Sequence, residues 1–341
     1  MHEVLYKVPE YLLSAYDSGE VIRYGAILKN VADGRIIAHM QETGLGQSLA
    51  STAVGQIQGL TGGLSPLGFA TGAVQVWQNE QIKQALGVLQ QLQVANLALS
   101  AVGIGISAAG FAVTAVKLDR IKSGIEKVAG AVGRVGRSVD ELREDQLDRE
   151  LAHLRAACRQ VDEAWLLRDP ERQWQDAARS LHEHQEAFQA AAVRQRDRSG
   201  PSDDLFALLV EAWLLAAGTR IAARLSGDEM GAALAASREA AGSVRALTSM
   251  IDDTDFLPAD ALRAGDAEAR RRLAVAGERV QAFRDREDMV ETRPHLIRHL
   301  IDRGISGRAH LEAARRETRT TALLLPVDAD ASATPLARAD N

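Results

Sequence analysis

From Leu118 onward, apolar residues return every three or four positions. Leu118, Ile121, Ile125, Val128, Val132, Val135, Val139 and Leu142 keep steps of 3-4-3-4-3-4-3, a heptad seam held for more than three repeats. The phase then slips. Leu147, Leu151, Leu154, Cys158, Val161 and Trp165 resume it, as after an insertion that locally unwinds a supercoil. No proline falls between Pro66 and Pro170. The spacing therefore predicts one helix from about Gln81 to Arg168, ~130 Å long if unbroken at 1.5 Å per residue. Gly130, Gly133 and Gly136 lie off the seam and weaken it, so a bend is expected there. Two readings stay open for residues 117–168: a coiled-coil stalk that oligomerises the chain, or a helix that folds back inside a monomeric bundle.

Helical periodicity continues through residues 169–324, read as a C-terminal bundle. Asp169-Pro170-Glu171 opens a helix with an Asp cap and proline at its first position, and Ser199-Gly200-Pro201 ends it. Ser202 and Asp203 cap the next helix, whose greasy centre runs from Leu205 to Gly218. Interrupted by Glu211 and short for a bilayer, that centre is expected at the middle of the bundle. Asp228–Met250 and Asp266–Arg293 read as amphipathic helices, and Pro294 opens another that reaches about Leu323. The tail, residues 325–341, has a disordered composition.

Residues 1–42 are different. Pro9 opens a short helix ended at Ser18-Gly19. VIRYGAILKN and RIIAHMQE flank a turn at Val31-Ala32-Asp33-Gly34 and predict a β-hairpin. An isolated hairpin is marginal, so this module must dock on the helical body.

Charge changes the picture most between residues 43 and 116. That whole stretch contains two charged side chains, Glu80 and Lys83. Its first part is glycine-rich and broken near Gly62-Gly63 and Ser65-Pro66, a weak helix at best. The second part is greasier: in Val94–Val116 the polar side chains are Asn96, Ser100, Ser107 and Thr114. About 20 apolar residues span a bilayer core as a helix, and Val94–Val116 is long enough to do so. Asn96, Ser100, Gly103, Ser107, Gly110 and Thr114 follow steps of 4-3-4-3-4 and share one face, the small-residue stripe that close helix packing in lipid uses. Lys117, Arg120, Lys122 and Lys127 flank the C-terminal side, which the positive-inside tendency makes cytoplasmic. The competing reading is a helix buried at the centre of a soluble bundle, since such a helix is also apolar all round.

Composition supports a mainly α fold. The chain has 341 residues, 4% aromatic, with 8 prolines and abundant alanine, which favours helices over a sandwich or barrel. A net charge of −6 gives no reason to expect nucleic acid. The single cysteine, Cys158, excludes an intrachain disulfide. No basic region followed by an apolar core opens the chain, so no signal peptide is expected, and a bacterial protein in the cytoplasm or at the inner membrane fits.

Chemistry-bearing groups are sparse. His295 and His299 stand four apart on a helix with Glu291 and Asp302 near, but the arrangement lacks the HExxH glutamate. His182 and His184, two apart, point in different directions. His153 and Cys158 face each other poorly, and no phosphate-binding glycine loop is present. The arginine clusters Arg270-Arg271-Arg272 and Arg315-Arg316 are interleaved with acids. No enzyme, cofactor, metal or small-molecule substrate is expected.

The charge-free region followed by the heptad helix resembles, in architecture, the α-helical pore-forming toxins of the cytolysin A and tripartite haemolysin type. The likeness runs from Thr43 to Trp165, with no diagnostic motif, and the long helix that precedes the hairpin in those toxins is missing. The resemblance implies a soluble form that hides an apolar hairpin, then inserts in a bilayer and oligomerises. The expected fold is mainly α: an apolar Gly/Ala-rich helical hairpin (43–116), a heptad stalk, a C-terminal bundle and a small N-terminal β-hairpin. The expected function is a membrane-associating protein, with a lipid bilayer and further copies of itself as partners. The alternative is a soluble helical scaffold with residues 43–116 as the centre of its bundle.

Overall fold

The computed structural model describes residues 6–7, 10–43, 111–132, 137–257, 266–317 and 322–327. Among them are eight α-helices: α1 (Glu10–Asp17), α2 (Phe111–Val132), α3 (Arg137–Ala164), α4 (Glu171–Ser199), α5 (Asp204–Ser226), α6 (Met230–Thr248), α7 (Asp266–Asp302) and α8 (Gly307–Arg316). Five strands accompany them: β1 (Tyr6–Lys7), β2 (Val21–Tyr24), β3 (Ile27–Asn30), β4 (Ile36–Glu42) and β5 (Ala322–Pro326). The mainly helical expectation holds.

Helix α5 is the axis of the bundle. Its composition gives water nothing to face: from Phe206 to Thr219 every residue is buried. Such a helix is stable only when neighbours cover all sides. α4 packs along it most extensively, with α6, α2, α3 and α8 completing the cover. Asp203 caps α5 by accepting a hydrogen bond from Leu205 N at 2.8 Å. Phe206, Leu208, Trp213 and Ile221 meet Leu118, Ile121, Leu154, Leu181, Phe188 and Phe283 in one core.

The long helix expected from Gln81 to Arg168 is divided. α2 ends at Val132, α3 begins at Arg137, and the two lie antiparallel. Asp119 pairs with Arg155, and Lys122 reaches Asp148 at 3.7 Å, pairings that only a folded-back hairpin brings together. Residues 133–136, between the two helices, lie outside the described residues. Over the described part of the seam, the helix packs within the bundle of its own chain. Leu118, Ile121 and Ile125 spend the seam on α5, and Leu151, Leu154 and Cys158 do the same from α3.

Pro294 does not open a helix but sits inside α7. Proline removes one backbone donor and kinks or breaks an unsupported helix. Here α7 continues because both of its flanks are fixed in the core: Val290, Thr292 and Arg293 before the proline, and Leu296, Ile297 and Leu300 after it, are all buried. Nor does Asp169 cap α4; the cap position is Pro170, without a side-chain hydrogen bond. The helix expected to reach Leu323 stops earlier. α7 ends near Gly304 (φ +62°), and α8 starts after Ser306, whose Oγ accepts from Ala309 N at 3.1 Å.

The hairpin expected at the N-terminus belongs to a larger sheet, of order β1-β5-β4-β3-β2, all antiparallel. The Val31–Gly34 turn is present between β3 and β4, with Asn30 Oδ1 accepting from Ala32 N at 2.8 Å. VIRYGAILKN is two strands, folded at Gly25 (φ +55°). Part of the stretch read as a disordered tail, Leu325 and Pro326, lies in β5. Its register against β4 runs from Glu42↔Ala322 to Ala38↔Pro326. One face of the sheet, with Leu28, Ala38, Met40 and Leu324, is covered by Leu12 and Ala15 of α1 and by Met289. On the opposite face Leu323 and Leu325 pack with Leu296 and Leu300 of α7 and Ala314 of α8.

Candidate functional site

The functional expectation rests on where the charge-free stretch joins the folded body. On one side the chain leaves β4 at Thr43, which is fully buried. On the other, α2 enters the bundle. Its approach to α5 is close: a Cβ at Gly124 would meet Leu208 Cδ2 at 2.8 Å, so a larger residue there would have to displace the Leu208 side chain. Lys122 also pairs with Glu126 at 3.7 Å, and Asp119 and Lys122 tie α2 to α3. The helix that follows the charge-free stretch is therefore anchored in the core of its own chain.

Of the small-residue stripe, Asn96, Ser100, Gly103, Ser107 and Gly110 lie outside the described residues, and Thr114 falls within α2. Of the seam, Leu118, Ile121 and Ile125 are buried in the core. Val128 and Val132 fall within α2 and Val139 and Leu142 within α3, whereas Val135 lies outside the described residues.

A charged pair interrupts the apolar core. Glu211, the break in the greasy run of α5, meets Arg286 of α7, with Nη2 donating to Oε1 at 2.9 Å; both side chains are buried. Burial holds the Arg286 guanidinium below its ordinary value, Glu211 opposes that shift and Arg120 of α2 adds to it. A carboxylate at this depth requires a cation beside it, so Glu211 fixes the rotation of α5 against α7.

A second polar group lies at the seam between sheet and bundle. His39 and Gln41 project from β4 on the face toward α7 and α8. The His39 ring stands 5.3 Å from that of His299, and His310 Nε2 meets Gln41 Oε1 at 3.1 Å. Arg293 is buried beside them. Burial, then the cationic or ionisable neighbours His299, His295, His310 and Arg293, push His39 down to about 3. His310 is likewise pushed down to about 3, by burial and by Arg293. Nδ1 of each ring is buried without a hydrogen-bond partner among the described residues. Both imidazoles are held in the neutral form at the joint between sheet and bundle.

The metal spacing His295–His299 is not assembled as such: His299 packs against His39, while His295 is exposed. Arg315 stacks over Trp165 at 5.0 Å and pairs with Asp162 at 2.8 Å, and Arg308 stacks over Trp174 at 4.8 Å and reaches Glu171 at 2.6 Å. These arginines clamp α8 to α3 and α4. His184 meets Glu150 of α3 at 3.1 Å, whereas His182 turns toward α6, as their spacing predicts. Cys158 Sγ points at Thr219 Oγ1, and burial pushes its thiol up to about 12, leaving it an inert core group. Sequence reasoning missed the His39–His310 cluster because its members come from opposite ends of the chain. The one legible signal was the pair of polar residues at His39 and Gln41, alternating with apolar Ala38 and Met40 in a strand.

Comparison of the chain with models of known families, with curated proteins and with solved structures finds no match.

Proposed function

We propose that this chain acts as a helical scaffold that works by binding. Its folded body, a helical bundle with an antiparallel sheet docked on it, is the part that holds its partners. The observation that carries the reading is α5. It is the helix long and apolar enough to cross a membrane among the described residues, with mean hydropathy 1.6, yet 89% of its apolar window is buried. A core helix of a water-facing bundle has that signature. Among the described residues the bundle's centre is α5.

A second reading follows from the sequence. Val94–Val116 carries no charge and has the length and composition of a membrane span. In that reading the scaffold is tethered to a bilayer by this segment, and a pore-forming action would need several copies. Flotation separates the two. Full-length protein, purified without detergent, is mixed with liposomes and spun through a density gradient. The scaffold reading expects it to stay with the soluble fraction and residues 94–116 to be equally protease-sensitive with and without lipid. Flotation with protection of that segment only when lipid is present would replace scaffold by membrane anchor. Dye release that disappears in Gly103→Leu and Gly110→Leu would then distinguish pore from anchor.

A further inference from the structure

On the flank of the bundle, α4 and α6 bring together three side chains that neither the core nor the sheet joint uses. His182 and Glu186 stand four apart on α4 and so share a face. Glu239 approaches from α6, and one ligand atom from each of the three lies within 4.8 Å of the others. His182 Nδ1 is 3.8 Å from Glu239 Oε1, beyond hydrogen-bond range, and is shielded from solvent without a hydrogen-bond partner among the described residues. The Glu186 carboxylate has no ion pair or hydrogen bond among the described residues. Glu239 is held in place: its Oε1 accepts from Arg220 Nη1 at 3.0 Å and from Gln185 Nε2 at 3.4 Å. Arg220 Nη1 also donates to Gln185 Oε1 at 3.0 Å, which fixes both supports. The second oxygen of Glu239 is uncommitted among the described residues.

We propose that His182, Glu186 and Glu239 form a binding site for a divalent transition-metal ion, with zinc(II) as the fitting case. One imidazole nitrogen and two carboxylate oxygens suit zinc, whereas calcium and magnesium take all-oxygen sets. The two carboxylates neutralise the ion's charge. Arg220 and Gln185 hold Glu239 Oε1, the oxygen 3.8 Å from His182 Nδ1, as groups beside a metal ligand do, and Oε2 remains to take the ion. Bringing the three donors to bonding distance of about 2.0–2.2 Å needs rotamer adjustment only, since His182 is partly exposed and Glu186 and Glu239 are exposed. Three protein ligands leave a position for water. A bound ion would clip α4 to α6 across the polar end of α5 at Arg220.

The test is isothermal titration of zinc chloride into chelator-stripped full-length protein, with thermal melts alongside. The expected result is one equivalent bound per chain and a rise in Tm of several degrees at saturation, because the ion binds the folded state alone. His182→Ala and Glu186→Gln should each weaken binding at least tenfold, while His295→Ala leaves it unchanged. Both variants alter surface side chains, and their metal-free melts serve as the folding control. Absence of binding at up to about 1 mM zinc, a Kd worth only about 4 kcal/mol, overturns the proposal. So does binding that survives in both His182→Ala and Glu186→Gln, which would place the ion elsewhere.

Discussion

At the scale of single residues, the buried charges and imidazoles decide more than their number suggests. Glu211 and Arg286 satisfy one another in a core otherwise made of Leu, Ala, Phe and Trp. Removing one partner strands the other. Glu211→Ala is expected to lower the unfolding free energy by about 3–5 kcal/mol, while the double change Glu211→Leu with Arg286→Met recovers most of the loss. Urea denaturation of the two variants beside the unaltered chain measures it. The histidines at the sheet joint give a pH dependence with a definite sign. His39 and His310 are pushed down to about 3 in the folded chain, by burial first, against an ordinary value of about 6.5. The unfolded chain therefore takes up protons below about pH 6.5 and the folded chain does not. Stability is full above that value and falls as pH drops from about 6.5 toward 3, by up to ~1.4 kcal/mol per pH unit for each histidine. His310→Gln should flatten this slope by about half. A series of urea midpoints between pH 7 and pH 5 reads it, and a slope unchanged by the substitution would remove His310 from the account.

At the scale of elements, docking depends on a few close approaches. β2 and β3 meet α7 through Gly25. A Cβ there would lie 2.3 Å from Asp288 O, and the residue has φ +55°. Next to it Ala26 N donates to Thr292 Oγ1 at 3.0 Å. Gly25→Ala combines a left-handed backbone with a backbone clash and is expected to cost about 2–4 kcal/mol. Hydrogen exchange should show the loss in β2 and β3 before α5. The heptads teach a related lesson. Leu118, Ile121 and Ile125 have the spacing of a coiled coil, but that pattern states only that one stripe of the helix is buried. Whether a second chain or the chain's own α5 covers it is not encoded in the spacing. Pro294 is the converse case. A proline signals a boundary locally, and burial of the turns on both sides of it overrode the signal. β5 escaped notice for another reason. Leu323 and Leu325 face α7 and α8 while Leu324 faces the α1 side, and a strand covered on both faces has no alternation to read.

At the scale of the whole molecule, the sheet joins the two ends of the described chain. β5 supplies the strand between β1 and β4, so residues 322–326 complete a sheet begun at residue 6. A chain ending at Arg316 loses that strand and uncovers Leu296 and Leu300. It is expected to keep the helical signal of the bundle while the sheet end melts first. Circular dichroism paired with exchange at β3 and β4 distinguishes this from global unfolding, which would show that bundle and sheet are one cooperative unit. The scaffold reading belongs at this scale too, since it rests on a body already closed around α5 with α2 anchored in it.

The sequence by itself determined that the chain is mainly helical, that the 205–218 run lies at a bundle's centre, and that the N-terminal hairpin needs a partner surface. Each follows from burial periodicity or local turn chemistry, which neighbouring residues encode. Tertiary structure alone decided that the heptad helix doubles back, that α7 passes through Pro294, and that residues 322–326 close the N-terminal sheet. It also placed Glu239 beside His182 and His310 beside Gln41. Those outcomes depend on contacts between residues far apart in the chain, whose energies appear only when distant segments share one core.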